Sequence, residues 1–408
     1  MTMPEQTSEL HEANLVPRMK NQGYSDEQIT QRRTWAEERT GASLEQVSAG
    51  TIPGESMRGN IENPIGTVQM PLGIAGPLQV NGQFAQGIFY VPLATTEGAL
   101  VRSYERGMAA LTRAGGATTR VYIDENRITP VVCFDDVGQA YAFTQALPAH
   151  FEEIRTAAES TTSHGKLLRI ETYPVGREVQ VNFCYHTGDA QGMNMIAKAT
   201  HAGCQWIMAH IPAKKYYIFS GFSSEKRASG FLLPGGKGKK VVAGALLPAG
   251  LLQLYFRVTP QQLFDLWHHT MLGHLNAHTV GYNGHFANGL TALFIALGQD
   301  VANVANASVG ITNFEITEQG DLYVSVTLPS LTVATVGGGV GLGTSRECLG
   351  LLGCVGRGKA AKLAEIMAAT VLAGELSMGA AIASGEFVNA HETYGRNRPV
   401  APPEGNVH

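Results

Sequence analysis

A chain of 408 residues, 44% hydrophobic and 16% charged, has a globular composition and length enough for two or three folded units. Its 30 Lys and Arg against 34 Asp and Glu leave a formal charge of −4, which gives no electrostatic case for nucleic acid or an anionic membrane. Five Cys without a CxxC pair argue for a reducing compartment and against a disulfide framework or zinc ribbon.

In chain order, residues 1–50 read as an N-terminal helical appendage. It is polar, carries no apolar signal core, and places Ser25 and Gln28 at capping-box spacing, so a cytoplasmic location is expected. From Asn60 the Gly/Pro-punctuated stretch NIENPIGTVQMPLGIAGPLQVNG predicts short strands and turns, followed by a strand in GIFYVPL. Leu100, Val101, Tyr104, Met108 and Leu111 then recur at helical spacing, and Gly115-Gly116 ends that helix. Beyond it, RVYI and PVVCF read as strands, 140–147 and 151–160 as helices, LLRIETYPV and EVQVNFCYH as a strand pair, and about 189–209 as a helix. Strands and helices so mixed predict a compact α+β unit of split-βαβ kind inserted into a larger one. A Gly/Lys loop (GGKGKK), two helical stretches, a strand pair near 311–328, a Gly-rich turn and an Ala-rich helix at 359–384 complete the larger unit. Lys362, Glu365 and Glu375 make that last helix a poor membrane span.

The Gly-rich places do not meet a nucleotide-loop frame. The run 337–341 never forms G-x-G-x-x-G, and 230–237 is one residue too long for a P-loop and lacks the following Ser or Thr. Tight turns needing positive φ account for both. His268, His269, His274 and His278 crowd one helix, but no Cys or carboxylate joins them at ligand spacing, so no metal is expected. Glu97, after Ala94-Thr95-Thr96, stands where a helix-start carboxylate is favoured by the dipole. Asp300 follows the C-terminal end of LTALFIALGQD, where a carboxylate is electrostatically unwelcome, and so asks for a cation; Lys226 in SSEKRASG is one candidate. The peptide 189–194 opens a helix whose N–H groups could take an anion, unless Asp189 simply caps it.

These stretches together resemble the catalytic portion of the 3-hydroxy-3-methylglutaryl-CoA reductase family. The carriers, in family order, are ENPIG (62–66), MPLGIAGP (70–77), ATTEG (94–98), GGATTRV (115–121), GDAQGMNM (188–195), EKR (225–227), GYNGHFAN (281–288), GQDVA (298–302), TVGGG (335–339) and NAHETYGRNR (389–398). The resemblance implies an α+β fold with a large substrate domain (51–121 and 219–385) around a long central helix. It further implies an inserted ferredoxin-like nicotinamide-binding subdomain (122–218) and a mobile tail (386–408) carrying His391.

The activity implied is a four-electron reduction of an acyl-CoA thioester by NADPH, with NADH left open, giving mevalonate and CoA. Lys226 would polarise the carbonyl and stabilise the oxyanion, and Asp300 would keep Lys226 charged and oriented. Glu97, its pKa raised by burial and a neighbouring carboxylate, would supply protons, and His391 would protonate the departing thiolate. Arg120, Ser220, Glu225 and Arg227 would contact substrate, and Asn288 would help hold the Lys–Asp pair. Asp189, Met193, Asn194, Gly337, Gly338 and Arg396 would contact the cofactor. Lys166 and Arg169 could meet a 2′-phosphate, although solvated charge on a strand is the plainer reading. A homodimer or homotetramer with its active site between subunits is implied, and no metal, nucleic acid or membrane.

Several residues depart from the family pattern. Asp-Lys-Lys has become Glu225-Lys226-Arg227, and Gln191 takes the apolar place in DAMGMN. The substrate Lys before GYN is missing, with His268 or His269 nearest; Gly250 stands for a CoA-contacting Lys and Glu105 for an Asn. Lost cations would weaken binding of an anionic acyl-CoA by ~1.5–3 kcal/mol per charged hydrogen bond. The same chemistry on another thioester, CoA- or carrier-protein-bound, is therefore the alternative. A non-catalytic acyl-CoA-binding relative is a third reading, opposed by the complete catalytic set.

Overall fold

The structure, a computed structural model, describes residues 15–19 and 23–386; His391 and Arg396 lie outside the described residues. Ser25 opens α1 (Asp26–Thr40): its hydroxyl accepts from the Gln28 amide, and the Gln28 side chain accepts from the Ser25 amide. This is the capping box that the spacing predicts. Arg32 in α1 is fully buried and donates to the carbonyls of Pro64 and Gly23, while Arg33 reaches Ile65 at 3.2 Å. The N-terminal helix is thereby clamped to the ENPIG loop.

After α1 come β1 (Leu72–Asn81), β2 (Gln86–Ala94), α2 (Leu100–Arg113), β3 (Ala117–Ile128) and β4 (Val131–Cys133). They are followed by α3 (Val137–Ala146), α4 (Phe151–Glu159), β5 (Lys166–Val175), β6 (Glu178–His186), α5 (Met193–His210) and β7 (Lys215–Tyr217). Next stand β8 (Gly238–Leu247), α6 (Ala249–Phe256), α7 (Pro260–Asn276) and α8 (Phe286–Ala296). The chain continues through β9 (Ile311–Ile316), β10 (Leu322–Leu331), α9 (Gly343–Leu351) and α10 (Ala360–Ala383). Helix α5 starts at Met193 rather than near 189, because Gly192 turns the chain with φ +82 and no side chain caps it.

The long strand β3 joins two sets of strands. Its residues 118–125 pair antiparallel with β8, which continues to β10 and β9, and its start pairs parallel with the β1–β2 hairpin through Val80 and Ala117. Its last residues, Asn126 to Ile128, pair instead with β6. Around β6 the strand order is β7-β4-β6-β5, with α3, α4 and α5 as the helices between those strands.

Two apolar cores result. The larger gathers Leu78, Tyr104, Leu293, Leu328 and Leu372 around α10; the smaller gathers Ile128, Phe143, Ile154, Phe183, Ile196 and Ile207. Helix α10 is apolar on all sides, as a helix at the centre of a large core must be. Among the described residues it is the one helix long and apolar enough to cross a membrane, but 83% of that stretch is buried inside the protein. Its two glutamates are tied inward. Glu365 accepts from the amides of Gln83, Phe84 and Ala85 at 2.7–2.9 Å. Glu375 accepts from the amides of Gly284 and His285 and from the Thr312 hydroxyl at 2.6–2.8 Å.

Candidate functional site

The first cluster is built on the turn at 224–227. Ser224 and Lys226 hold φ of +58 and +55, left-handed values that cost a non-glycine residue roughly 1–2 kcal/mol each. Asn306 helps keep the turn there: its Oδ1 accepts from the Lys226 amide at 3.3 Å, while its Nδ2 donates to the Ser330 carbonyl at 3.0 Å. So held, Lys226 places its Nζ 2.8 Å from Asp300 Oδ2. Asp300 is fixed in turn, because its Oδ1 accepts from the Ala302 amide at 3.2 Å. Behind it, Gln299 bridges to Ala334, three residues beyond β10, donating to that carbonyl at 3.0 Å and accepting from that amide at 2.7 Å. Gly298, at φ +64, lies against the Gly339 carbonyl, where a Cβ would collide. The GQD segment is thus seated directly on the Gly-rich turn.

A second cluster lies at the other end of α8. Glu97 does not cap α2. Ala99 takes the cap position at φ +71 without a side-chain bond, and the exposed Glu97 carboxylate accepts from Asn288 Nδ2 at 2.9 Å. Asn288 sits in the first turn of α8, whereas Asp300 follows its last turn. It therefore holds Glu97. The 11 residues of α8 rise about 16 Å, so within one chain the two clusters are a helix length apart. Behind Glu97, Tyr104 stacks on His285 at 5.5 Å, and His285 Nδ1 is 3.0 Å from Glu375. Burial, with the negative charges of Glu375 and Glu97 nearby, holds the Tyr104 phenol well above its ordinary pKa.

The third cluster joins the 189–194 turn to the Gly-rich turn. The Asp189 carbonyl accepts from the Thr335 amide at 2.9 Å and the Val336 amide at 3.3 Å. Its carboxylate caps the start of α10 rather than α5, accepting from Gly358, Lys359 and Ala360 at 2.7–3.0 Å. Burial alone would raise the Asp189 pKa, but these amides outweigh it and hold the acid below its usual range. Met193 and Asn194 stand in the first turn of α5, whose amides no side chain caps. Gly337 and Gly338, both at positive φ, follow immediately on the Thr335–Val336 contact. An uncapped helix start beside a glycine turn is a fit for the phosphates of a dinucleotide.

The remaining residues are placed as follows. Glu225 turns inward to pair with Lys237, the fully buried ammonium that ends the 230–237 stretch too long for a P-loop. Arg227 is exposed and donates to the Glu225 carbonyl at 3.0 Å. Ser220 Oγ donates to the Thr129 carbonyl at 2.7 Å, and Arg120 to the Asn81 carbonyl at 3.1 Å. Lys166 is taken by Glu159 at 2.9 Å, and Arg169 by Glu125 and Glu171 at 2.8 and 2.7 Å, so both cations are already neutralised by this chain. His274 faces Tyr282 and Thr279, and among the described residues no group of three or more His, Cys, Asp or Glu could hold a metal. His285 lies within the GYNGHFAN motif three residues before Asn288, but its spacing to the other site residues in sequence does not mark it.

Comparison with known proteins finds relatives over most of the chain. The family model described as hydroxymethylglutaryl-coenzyme A reductase matches residues 28–396. The 3-hydroxy-3-methylglutaryl-coenzyme A reductase of Methanocaldococcus jannaschii is 42% identical over 373 residues, covering 90% of this chain and 92% of that protein. Its counterpart in Methanothermobacter thermautotrophicus is 41% identical over 374 residues, covering 91% and 94%. In fold, the chain is similar to the class II 3-hydroxy-3-methylglutaryl-CoA reductase of Streptococcus pneumoniae bound to NADPH. That match has a TM-score of 0.66 and 18% identity, over 93% of this chain and 97% of that one. This chain belongs to the hydroxymethylglutaryl-coenzyme A reductase family.

Proposed function

We propose that the protein reduces 3-hydroxy-3-methylglutaryl-CoA to mevalonate and free CoA with two equivalents of NADPH. The observation that carries this reading is the Lys226–Asp300 pair, 2.8 Å apart and partly open to solvent, on a turn that holds Ser224 and Lys226 in left-handed backbone. NADPH, when bound, supplies hydride at each of the two stages. Lys226 donates to the thioester oxygen as negative charge collects there, and Asp300 keeps that ammonium aimed. Once the hemithioacetal releases its thiolate, the same ammonium polarises the aldehyde for the second reduction. Glu97, steadied by Asn288, delivers the proton that turns the final alkoxide into an alcohol. His391 is assigned the protonation of the thiolate.

The smaller core is read as the nicotinamide-binding subdomain, 122–218, within a larger domain of 51–121 and 219–385. Its order β7-β4-β6-β5, with helices between the first and second and the third and fourth of its strands in chain order, supports a ferredoxin-like βαββαβ unit. Asp189 shapes that site from behind while Met193, Asn194, Gly337 and Gly338 face the cofactor.

A single carbonyl must lie within hydrogen-bond reach of both Lys226 and Glu97. Because α8 separates them, the site is proposed to form in a homodimer, with Glu97 from one protomer facing Lys226 and Asp300 of its partner. Burial of Glu97, exposed in the single chain, would come from that contact. All five cysteines are free and buried, in keeping with the cytoplasmic location proposed. The test is the loss of reduced-nicotinamide absorbance with a panel of thioesters. Two NADPH oxidised per HMG-CoA supports the reading; oxidation only with another thioester, or only with NADH, overturns the substrate or cofactor named.

A further inference from the structure

The Lys237 ammonium has no exposure to solvent and three donors, and the structure gives it three partners. It pairs with the Glu225 carboxylate, donates to the Arg127 carbonyl at 2.9 Å, and lies 3.3 Å from Met193 Sδ. Those partners belong to three different pieces of the molecule: the 224–227 turn, the last residues of β3, and the first residue of α5. Burial pulls the Lys237 pKa down to about 8, with Glu225 opposing the shift, so the charge persists because that acid is there. Glu225 also lies 3.5 Å from Gln191 Nε2, and Gln191 is itself pinned through its carbonyl to Asn126 at 2.8 Å. The turn that presents Lys226 is therefore anchored from inside to the start of the cofactor helix.

We propose that Lys237 is a positioning residue for thioester reduction: through Glu225 it holds the 224–227 turn so that Lys226 meets Asp300, and through Met193 it registers that turn against α5. This deepens the functional reading above and rests on the role given there to Lys226. Such a residue touches neither substrate nor cofactor, so its loss should misplace the ammonium rather than remove a binding contact.

The test is a cycle of Lys237→Met, Glu225→Gln and the double variant, with kcat, both KM values and thermal melting measured for each. Lys237→Met is expected to lose on the order of 10²-fold in kcat, the scale of a misplacement of about 1 Å. Its KM for HMG-CoA should stay within about threefold, since uniform binding is untouched. Because Lys237 acts through Glu225, the double variant should lose no more than Lys237→Met alone. Losses that multiply, or a kcat near that of the wild type, would overturn the proposal. If Lys237→Met fails to fold because Glu225 is left charged in the interior, the double variant, with both charges gone, carries the test. Full activity in the double variant, or its failure to fold, would equally count against positioning.

A readout independent of turnover separates this from the functional reading. Reductive methylation of the Lys226 amine, followed by peptide mass, should run several-fold faster in Lys237→Met than in the wild type. An unchanged rate would defeat the positioning role even in an active enzyme, whereas a wild type that reduces no thioester defeats only the function.

Discussion

Lys226 and Asp300 are 47% and 34% exposed, and an ion pair in that setting contributes about 0–1 kcal/mol to stability. The left-handed turn that creates it costs more than the pair returns, which is what a site shaped for chemistry rather than for folding would show. Glu97 makes the complementary case. Its carboxylate serves no helix cap and is held by one neutral donor, Asn288 Nδ2. Glu97→Gln retains an oxygen to accept that bond, so melting temperature and both KM values should be unchanged. The kcat should fall about 10²–10⁴-fold, the usual contribution of a positioned proton donor, and steady-state kinetics beside a melting curve checks both halves. At this scale the sequence was legible where electrostatics posed a question with few answers. A carboxylate beyond a helix C-terminus demanded a cation, and Lys226 supplies it. It was silent on Ala99, whose left-handed φ turns Glu97 away from the helix, because nothing in an alanine announces that backbone.

Helix α10 shows what local pattern reveals and what it hides. Its apolar length was plain, and its boundaries fell within a residue of those expected. Glu365 and Glu375, read only as obstacles to a membrane span, prove to be the internal anchors of two loops. Their partners lie 63 or more residues away in sequence, beyond any periodicity. Burial would raise the Glu375 pKa, but His285, Thr312 and the Gly284 amide overcome that and hold it below the ordinary range. A depressed carboxylate contributes stability that is fully present above its unfolded pKa and is lost as pH falls through the folded value. Urea unfolding of the wild type should therefore weaken below about pH 4, more steeply than that of Glu375→Gln. Removing the acceptor altogether, in Glu375→Ala, leaves two amides and a hydroxyl unpaired and should cost about 3–5 kcal/mol at neutral pH. A pH slope identical in wild type and Glu375→Gln would show that this acid does not report on folding.

For the whole molecule, the mixture of strands and helices beyond about residue 120 predicts a second unit, and the structure has a second apolar core between Ile128 and Ile211. What the sequence did not reveal is that one strand, β3, runs through both sets of strands, since its partners on β8 and β6 lie more than 50 residues away. Nor could it show that α8 separates Glu97 from Asp300, because both positions are near in sequence order to nothing that fixes their distance. That separation makes a prediction about assembly. Glu97→Gln and Lys226→Ala, each inactive alone, should recover activity when co-refolded in equal amounts. Random pairing leaves one intact site in each mixed dimer, about a quarter of wild-type activity. No recovery in a confirmed mixed dimer would mean that each site is built from a single chain.

The proposed reaction turns on one ammonium, Lys226, stabilising the oxygen of a thioester as hydride arrives. Its most direct measurement is kcat for Lys226→Ala with saturating HMG-CoA and NADPH. A fall of at least about 10²-fold, with NADPH affinity and melting temperature unchanged, is the predicted result. Turnover at the wild-type rate would contradict it.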